Sequence, residues 1–288
     1  MNMKKHSFRK ICLCVFLFAF LCSISLNIYH YRRRLVSFFA VFSMPLNASG
    51  SIFDEENAWY CAPFLLIAYA GGGINGLSYL NSEEAIRSSI EAGAKVIEID
   101  VSLTADGVPV LSHDFMPDHE IMFEQRPTLA EFLSNPLPGN QTPLTFDAFI
   151  EKFGGWEGNF LIDTKMHDEL AVAYWLEEHC PAEVRNRFIF QIGSKRLLEE
   201  LSRKKIFSFL HYNGKTIERL EQMLPLLRKY NVHTVSISDD AITGKDSLEN
   251  LCGAGLHVYV FTVNHRRRMD YVLKAGASGV FTDRLLVE

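Results

Sequence analysis

Two periods of hydrophobic and polar positions alternate along most of this chain. Short apolar runs of strand type read FLLIAYA (64–70), KVIEIDVSL (95–103), NFLIDTK (159–165), RFIFQI (187–192), IFSFLHY (206–212), HTVSIS (233–238), HVYVFTV (257–263) and SGVFTD (278–283). Stretches with helical spacing fall between them, near 82–92, 145–153, 168–179, 194–204, 216–229, 244–252 and 265–274. Eight such units predict an α/β fold, a closed parallel (β/α)8 TIM barrel over 62–288, with an open doubly wound sheet as the alternative. The first helix is expected to start at Asn81 as N-cap, with Glu84 three residues on, and to end at Gly93. The turn TADG (104–107) followed by VPVLSHD (108–114) adds a short strand after the second barrel strand. No helical segment follows the eighth strand, so the outer ring is expected to have a gap into which residues 35–59 pack.

A different pattern occupies the N-terminus. From Ile11 to Ile28 the run ICLCVFLFAFLCSISLNI carries no charge, and as a helix it spans about 27 Å, enough to cross a hydrocarbon core. A cleavable signal peptide has a shorter apolar core and a small-residue cleavage site, whereas this run leads into Arg32, Arg33 and Arg34. The expected organisation is therefore a single-pass transmembrane anchor with basic flanks (1–34), a linker (35–61) and a barrel on the extracytoplasmic side of the membrane. Seven of the 29 lysines and arginines, and none of the 34 acids, lie in the anchor, which leaves the body near -12. That balance excludes a nucleic-acid partner. Three of the six cysteines also lie in the anchor and no CxxC spacing occurs, so neither a zinc site nor a disulfide framework is indicated.

Candidate chemistry emerges from strand alternation. In KVIEIDVSL the period of two puts Glu98 and Asp100 on one face, with Ile97, Ile99 and Val101 on the other. Two buried ionised carboxylates side by side are costly, and a divalent cation is the simplest explanation. The neighbouring strand places Asp163 and Lys165 on one face as well, and an all-oxygen ligand set suits Mg2+ or Ca2+. A structural ion pair between Lys165 and Asp163 would still leave Glu98 and Asp100 without a partner. His113 ends the added strand beside this acidic mouth, where an imidazole can act as general acid or base. The loop GGGING (71–76) imitates a dinucleotide fingerprint, but four residues separate it from the helix start. Its glycines, Gly71 among them, are instead expected to let backbone amides approach an anionic substrate. Gln191 and Asn264, at strand ends, are candidates to bind substrate hydroxyls.

At these residues the chain resembles the glycerophosphodiester phosphodiesterase family, within the barrel superfamily that includes phosphatidylinositol-specific phospholipase C. The resemblance runs through IAYAGGGINGLSYLNSEEA (67–85), EAGAKVIEIDVSLTADGVPVLSHD (91–114), LIDTK (161–165), FTVN (261–264) and GVFTD (279–283). It implies a barrel that hydrolyses glycerophosphodiesters to glycerol 3-phosphate and an alcohol with a divalent metal held by Glu98, Asp100 and Asp163. It further implies that His113 is one acid/base group and that Lys165 faces the phosphate. Where the family carries a second histidine at the end of the first strand, this chain has Tyr69. Three outcomes follow: Tyr69 donates a proton as a phenol, His167 or His211 replaces the lost group, or the protein is a membrane-tethered module that binds phosphodiesters or phosphoinositides without turnover. The expected partner in each case is a small glycerophosphodiester or a phospholipid headgroup.

Overall fold

The computed structural model describes residues 58–61, 64–116, 122–165 and 168–286. The expected anchor, nearly all of the expected linker and His167 lie outside these residues. Among the described residues, no helix is long and apolar enough to cross a membrane.

Eight parallel strands close into a ring in the order β1 (Leu65–Ala68), β9 (Gly279–Thr282), β8 (His257–Phe261), β7 (Thr234–Ser238), β6 (Phe209–Lys215), β5 (Phe188–Ile192), β4 (Asn159–Thr164) and β2 (Val96–Leu103). Pairing of β1 with β2 completes the barrel, while β3 (Pro109–Leu111) lies antiparallel on β2. Alternation along each strand separates two cores. Leu65, Ile67, Val96, Leu161, Ile189, Tyr259 and Phe281 fill the interior. Ile97, Ile99, Val101, Phe160 and Ile162 face outward, under the helices.

The helices that follow β1, β4, β5 and β6 are α1 (Glu83–Glu91), α4 (Glu169–His179), α6 (Lys195–Lys204) and α7 (Ile217–Lys229), with α3 (Phe146–Phe153) preceding β4. Ser82, Thr145, Ser194 and Thr216 cap four of them by accepting the amide three residues on. The cap of α1 is thus Ser82 and not Asn81, whose side chain is drawn elsewhere. Two further helices, α2 (Leu129–Ser134) and α5 (Ala182–Arg185), were not evident from spacing, and α8 (Glu249–Gly253) is shorter than its predicted stretch. The last helix is α9 (Arg266–Lys274). Strand β6 begins three residues later than expected, because Ile206 and Phe207 turn into the outer core after a left-handed Lys205.

Of the stretch expected to fill the outer ring, Ala58 and Trp59 are described, and they take another place. The turn Trp59–Cys61 closes the N-terminal end of the barrel. Trp59 stacks on Tyr259 at 5.3 Å, and the Tyr60 ring lies 5.0 Å from His257, the first residue of β8. The opposite, C-terminal mouth is where the polar residues converge.

Candidate active site

Strand β2 loses its neighbour in mid-course. On one edge β1 pairs with it as far as Ile97, and β3 resumes pairing only at Val101. Loop groups cover the interval. The Ala70 amide donates to Glu98 Oε2 at 2.7 Å. Asn81 Oδ1 accepts the Asp100 amide at 2.8 Å, its Nδ2 donates to Asp100 Oδ2 at 2.9 Å, and the Ser112 amide donates to the Asp100 carbonyl at 2.9 Å. Asn81 therefore serves as the missing ladder partner of Asp100, which is why it cannot also cap α1. Sequence spacing did not reveal this, because the contact joins residues on separate elements.

The register of β2 and β4 sets Asp100 directly beside Asp163. Glu98 and Asp100 are fully buried and Asp163 half-buried, and each offers an oxygen within 4.8 Å of the others. Glu98 Oε1 and Asp100 Oδ1 have no hydrogen-bond donor. Lys165 is ion-paired with Asp163 Oδ2 and, at 3.1 Å, with Asp100 Oδ1. One ammonium thus faces three carboxylates. Buried oxygens left without donors, clustered at one point, match what a hard divalent cation requires.

Electrostatics follow this imbalance. Burial, then the charges of Asp100 and Asp163, push the Glu98 carboxyl well above the usual carboxylate range. Burial acts the same way on Asp100, but the Lys165 ammonium, His113 and the Asn81 amide outweigh it and hold that carboxyl low. Burial disfavours the Lys165 ammonium, yet Asp100, Asp163 and Glu98 raise its pKa so that it stays charged. Burial, then the charges of Glu98 and Asp100, raise the Tyr69 phenol far above its ordinary value.

Tyr69 leaves the end of β1 into the mouth, edge-on to Phe281 at 5.8 Å and to Tyr79 at 5.0 Å. His113, with 26% of its side chain exposed, approaches Asp114 at 3.6 Å and sits edge-on to Tyr79 at 5.0 Å. Tyr79 was not singled out by the sequence. Gln191 is buried on β5, in register with His211. Asn264 holds the chain end together: its amide donates to Asp283, and its oxygen accepts from the Thr282 hydroxyl and the Asp283 backbone.

The glycine loop is likewise occupied internally. The Gly72 and Gly73 amides donate to the carbonyls of Tyr69 and Asp283, and the Gly71 carbonyl accepts from the Ser89 hydroxyl. A methyl group at Gly73 would lie 2.4 Å from the Asp283 oxygen, so this glycine permits close packing of loop on loop. The Gly72 and Gly73 amides are thus engaged within the loop, whereas the only Gly71 group seen engaged among the described residues is its carbonyl. His211 is also not a mouth residue. It lies inside the barrel with neither nitrogen hydrogen-bonded, between Trp59, Tyr259 and Phe281, and burial lowers its pKa to about 3.

Residues 73–287 match the glycerophosphoryl diester phosphodiesterase family. The chain belongs to this family of phosphoric diester hydrolases. It is 24% identical over 243 residues to a glycerophosphodiester phosphodiesterase of Caldanaerobacter subterraneus subsp. tengcongensis, covering 76% of this chain and 93% of that protein. Over 98 residues it is 33% identical to glycerophosphodiester phosphodiesterase 1 of Bos taurus, which covers 30% of this chain and 29% of the bovine protein. Among solved structures, a phosphodiesterase of Oleispira antarctica in complex with sn-glycerol-3-phosphate superposes with a TM-score of 0.62 at 21% identity, covering 79% and 96% of the two chains. A glycerophosphodiester phosphodiesterase of Parabacteroides distasonis gives 0.63 at 20% identity, covering 77% and 93%. At such identities the structural likeness bears on the barrel alone.

Proposed function

We propose that this protein hydrolyses glycerophosphodiesters to glycerol 3-phosphate and an alcohol in a divalent-cation-dependent reaction. The observation that carries this reading is the cluster of Glu98, Asp100 and Asp163 with its unsatisfied buried oxygens. These three residues would hold Mg2+ or Ca2+, both of which favour oxygen donors. Bound there, the cation supplies Lewis-acid stabilisation of charge on a phosphoryl oxygen.

The chain's own groups do the rest. Lys165, kept charged by the acids around it, offers an ammonium to a phosphate oxygen. His113, on the rim of the mouth, removes the proton of the nucleophile or gives one to the leaving alkoxide. Tyr69 keeps its proton at neutral pH because its pKa is raised, so it serves as a hydrogen-bond donor to the phosphodiester and not as a base. Gln191 lines the interior beneath the mouth and can accept or donate to a substrate hydroxyl. The uncharged run from Ile11 to Ile28 supports tethering at a membrane, with the barrel on the extracytoplasmic side and a phospholipid-derived headgroup within reach.

Tyr69 in place of the family's first histidine favours a second reading, a tethered protein that binds phosphodiesters without turnover. The two are separated by assaying the purified chain on glycerophosphodiesters with and without chelator, alongside Tyr69→His. Chelator-sensitive release of glycerol 3-phosphate by the native chain supports the hydrolase. Ligand binding with no hydrolysis by either protein supports the binding module.

A further inference from the structure

Between the glycine loop and α1 the chain makes an unusual excursion. Tyr79 has φ 58° and Asn81 φ 51°, both in the left-handed region, on either side of the buried Leu80. Asn81 is a residue that tolerates this conformation, and its side chain explains its place through Asp100. Tyr79 is different. A bulky aromatic in this region is an outlier, and a turn that needs it would ordinarily carry glycine or asparagine. Strained backbone of this kind persists where the surroundings over-determine it, and it concentrates at functional sites.

The surroundings of Tyr79 say what the strain achieves. One end of its segment is bolted down: the Asn81 amide donates to the Ala70 carbonyl at 2.9 Å, and the Asn81 side chain grips Asp100. From that anchor the Tyr79 ring is set edge-on between two others, with centroids 5.0 Å from Tyr69 and 5.0 Å from His113. Its hydroxyl is hydrogen-bonded with that of Tyr69. Tyr69 projects from the end of β1 and His113 from the end of β3, the two strands that share the interrupted edge of β2. Tyr79 is therefore the side chain that bridges the two groups flanking the carboxylate cluster.

We propose that Tyr79 is a positioning residue, holding the His113 imidazole against the carboxylate cluster and coupling it to Tyr69 across the mouth. The inference rests on the hydrolytic reading for its kinetic consequences, though not for its structural ones. Paired edge-to-face aromatics restrict one another's rotation, and small displacements of an acid/base group are expensive in rate.

The test compares Tyr79→Phe, which keeps the ring, with Tyr79→Asn, which removes it and suits the left-handed backbone. Tyr79→Phe should keep kcat within about threefold, whereas Tyr79→Asn should lose about ten- to a hundredfold in kcat with KM changed less than about threefold. Melting temperature should be unchanged or raised in Tyr79→Asn, since the substitution relieves strain. A merely structural tyrosine would instead lose stability and activity together. The second readout needs no turnover: the His113 Cε1–H resonance, assigned by its absence in His113→Gln, should be sharp in the native chain and Tyr79→Phe and exchange-broadened in Tyr79→Asn. Native kcat in Tyr79→Asn, or a parallel loss of stability and rate in that variant, would overturn the proposal. An inert native chain would count against the hydrolytic reading alone. In that case an equally sharp His113 signal in all three proteins would sink the positioning role as well.

Discussion

Replacing Glu98 by glutamine should stabilise this protein in the absence of a divalent cation and remove most of the stabilisation that the cation gives. In the cation-free protein Glu98 is buried, its pKa is raised by burial and by Asp100 and Asp163, and its Oε1 has no donor. An orphaned buried acceptor costs about 1–3 kcal/mol. Glutamine keeps an oxygen for the Ala70 amide and puts an NH2 where Oε1 faced other carboxylates, so Glu98→Gln should gain about that amount in chelator. At this chain length each kcal/mol moves Tm by about 2–4 °C, which makes the gain about 2–12 °C. With cation at a hundred times its Kd the native protein gains about 2.7 kcal/mol, or about 5–11 °C, and Glu98→Gln should gain almost none of it. The assay is thermal unfolding of both proteins at neutral pH, with chelator and with saturating Mg2+ or Ca2+. A variant less stable than the native chain in chelator, or one that responds equally to the cation, would refute the account of these carboxylates.

The same raised pKa fixes a pH dependence. An acid whose folded-state pKa exceeds its unfolded value contributes stability that is complete below the unfolded value and declines as pH rises through the folded one. The chelated native protein should therefore lose stability as pH is raised from its ordinary carboxyl value of 4.5 toward neutrality, and Glu98→Gln should lack that component.

Three further expectations rest on other features. His113→Gln should lower kcat by about 10²–10⁴, while Tyr69→His should raise it, both read as chelator-sensitive release of glycerol 3-phosphate; an unchanged rate in His113→Gln would remove it from the mechanism. Gly73→Ala drives a methyl group against the Asp283 carbonyl oxygen and should cost about 1–3 kcal/mol in denaturant unfolding. His211 is buried with its pKa lowered to about 3, so the stability of its neutral form is present above its ordinary value of 6.5 and is lost as pH falls through 3. His211→Leu should flatten that acid limb of the melting curve and leave cation-dependent activity intact, whereas a steep limb in the variant would assign the acid sensitivity to other groups.

Much of the architecture is readable from periodicity, because strands buried on both faces and amphipathic helices are local patterns. All eight barrel strands and the antiparallel β3 occur near the runs that alternation marks, with β6 shifted by three residues, and the face shared by Glu98, Asp100 and Asp163 follows from a period of two. What escaped is set by contacts between distant residues. Asn81 has the composition of a helix cap, and only the missing partner of Asp100 diverts it. Asn264 has the chemistry of a ligand site, but Thr282 and Asp283 already engage its side chain, and the Asp283 carbonyl takes the Gly73 amide. His211 was misplaced because the start of β6 depends on how Ile206 and Phe207 pack under the helices. Tyr79 carries no signal in its spacing at all, since its left-handed backbone is visible only once the loop is folded.

The departures at Asn81 and Tyr79 share one origin in the edge of β2. Had β1 continued beside β2 as far as Val101, backbone partners would satisfy Asp100, and the edge beside Glu98 would be covered by a strand. Ending β1 at Ala68 frees the Ala70 amide for Glu98, sends Tyr69 into the mouth and leaves the Asp100 amide to be met by a side chain. Reaching Asp100 requires Asn81 to arrive by a tight left-handed path, and that path carries Tyr79 over His113. The interruption that exposes the carboxylates to a cation is thus the same feature that sets the aromatic and imidazole groups around them. Restoring a histidine at position 69 would accordingly change the chemistry at the mouth while leaving the backbone that builds the cluster in place.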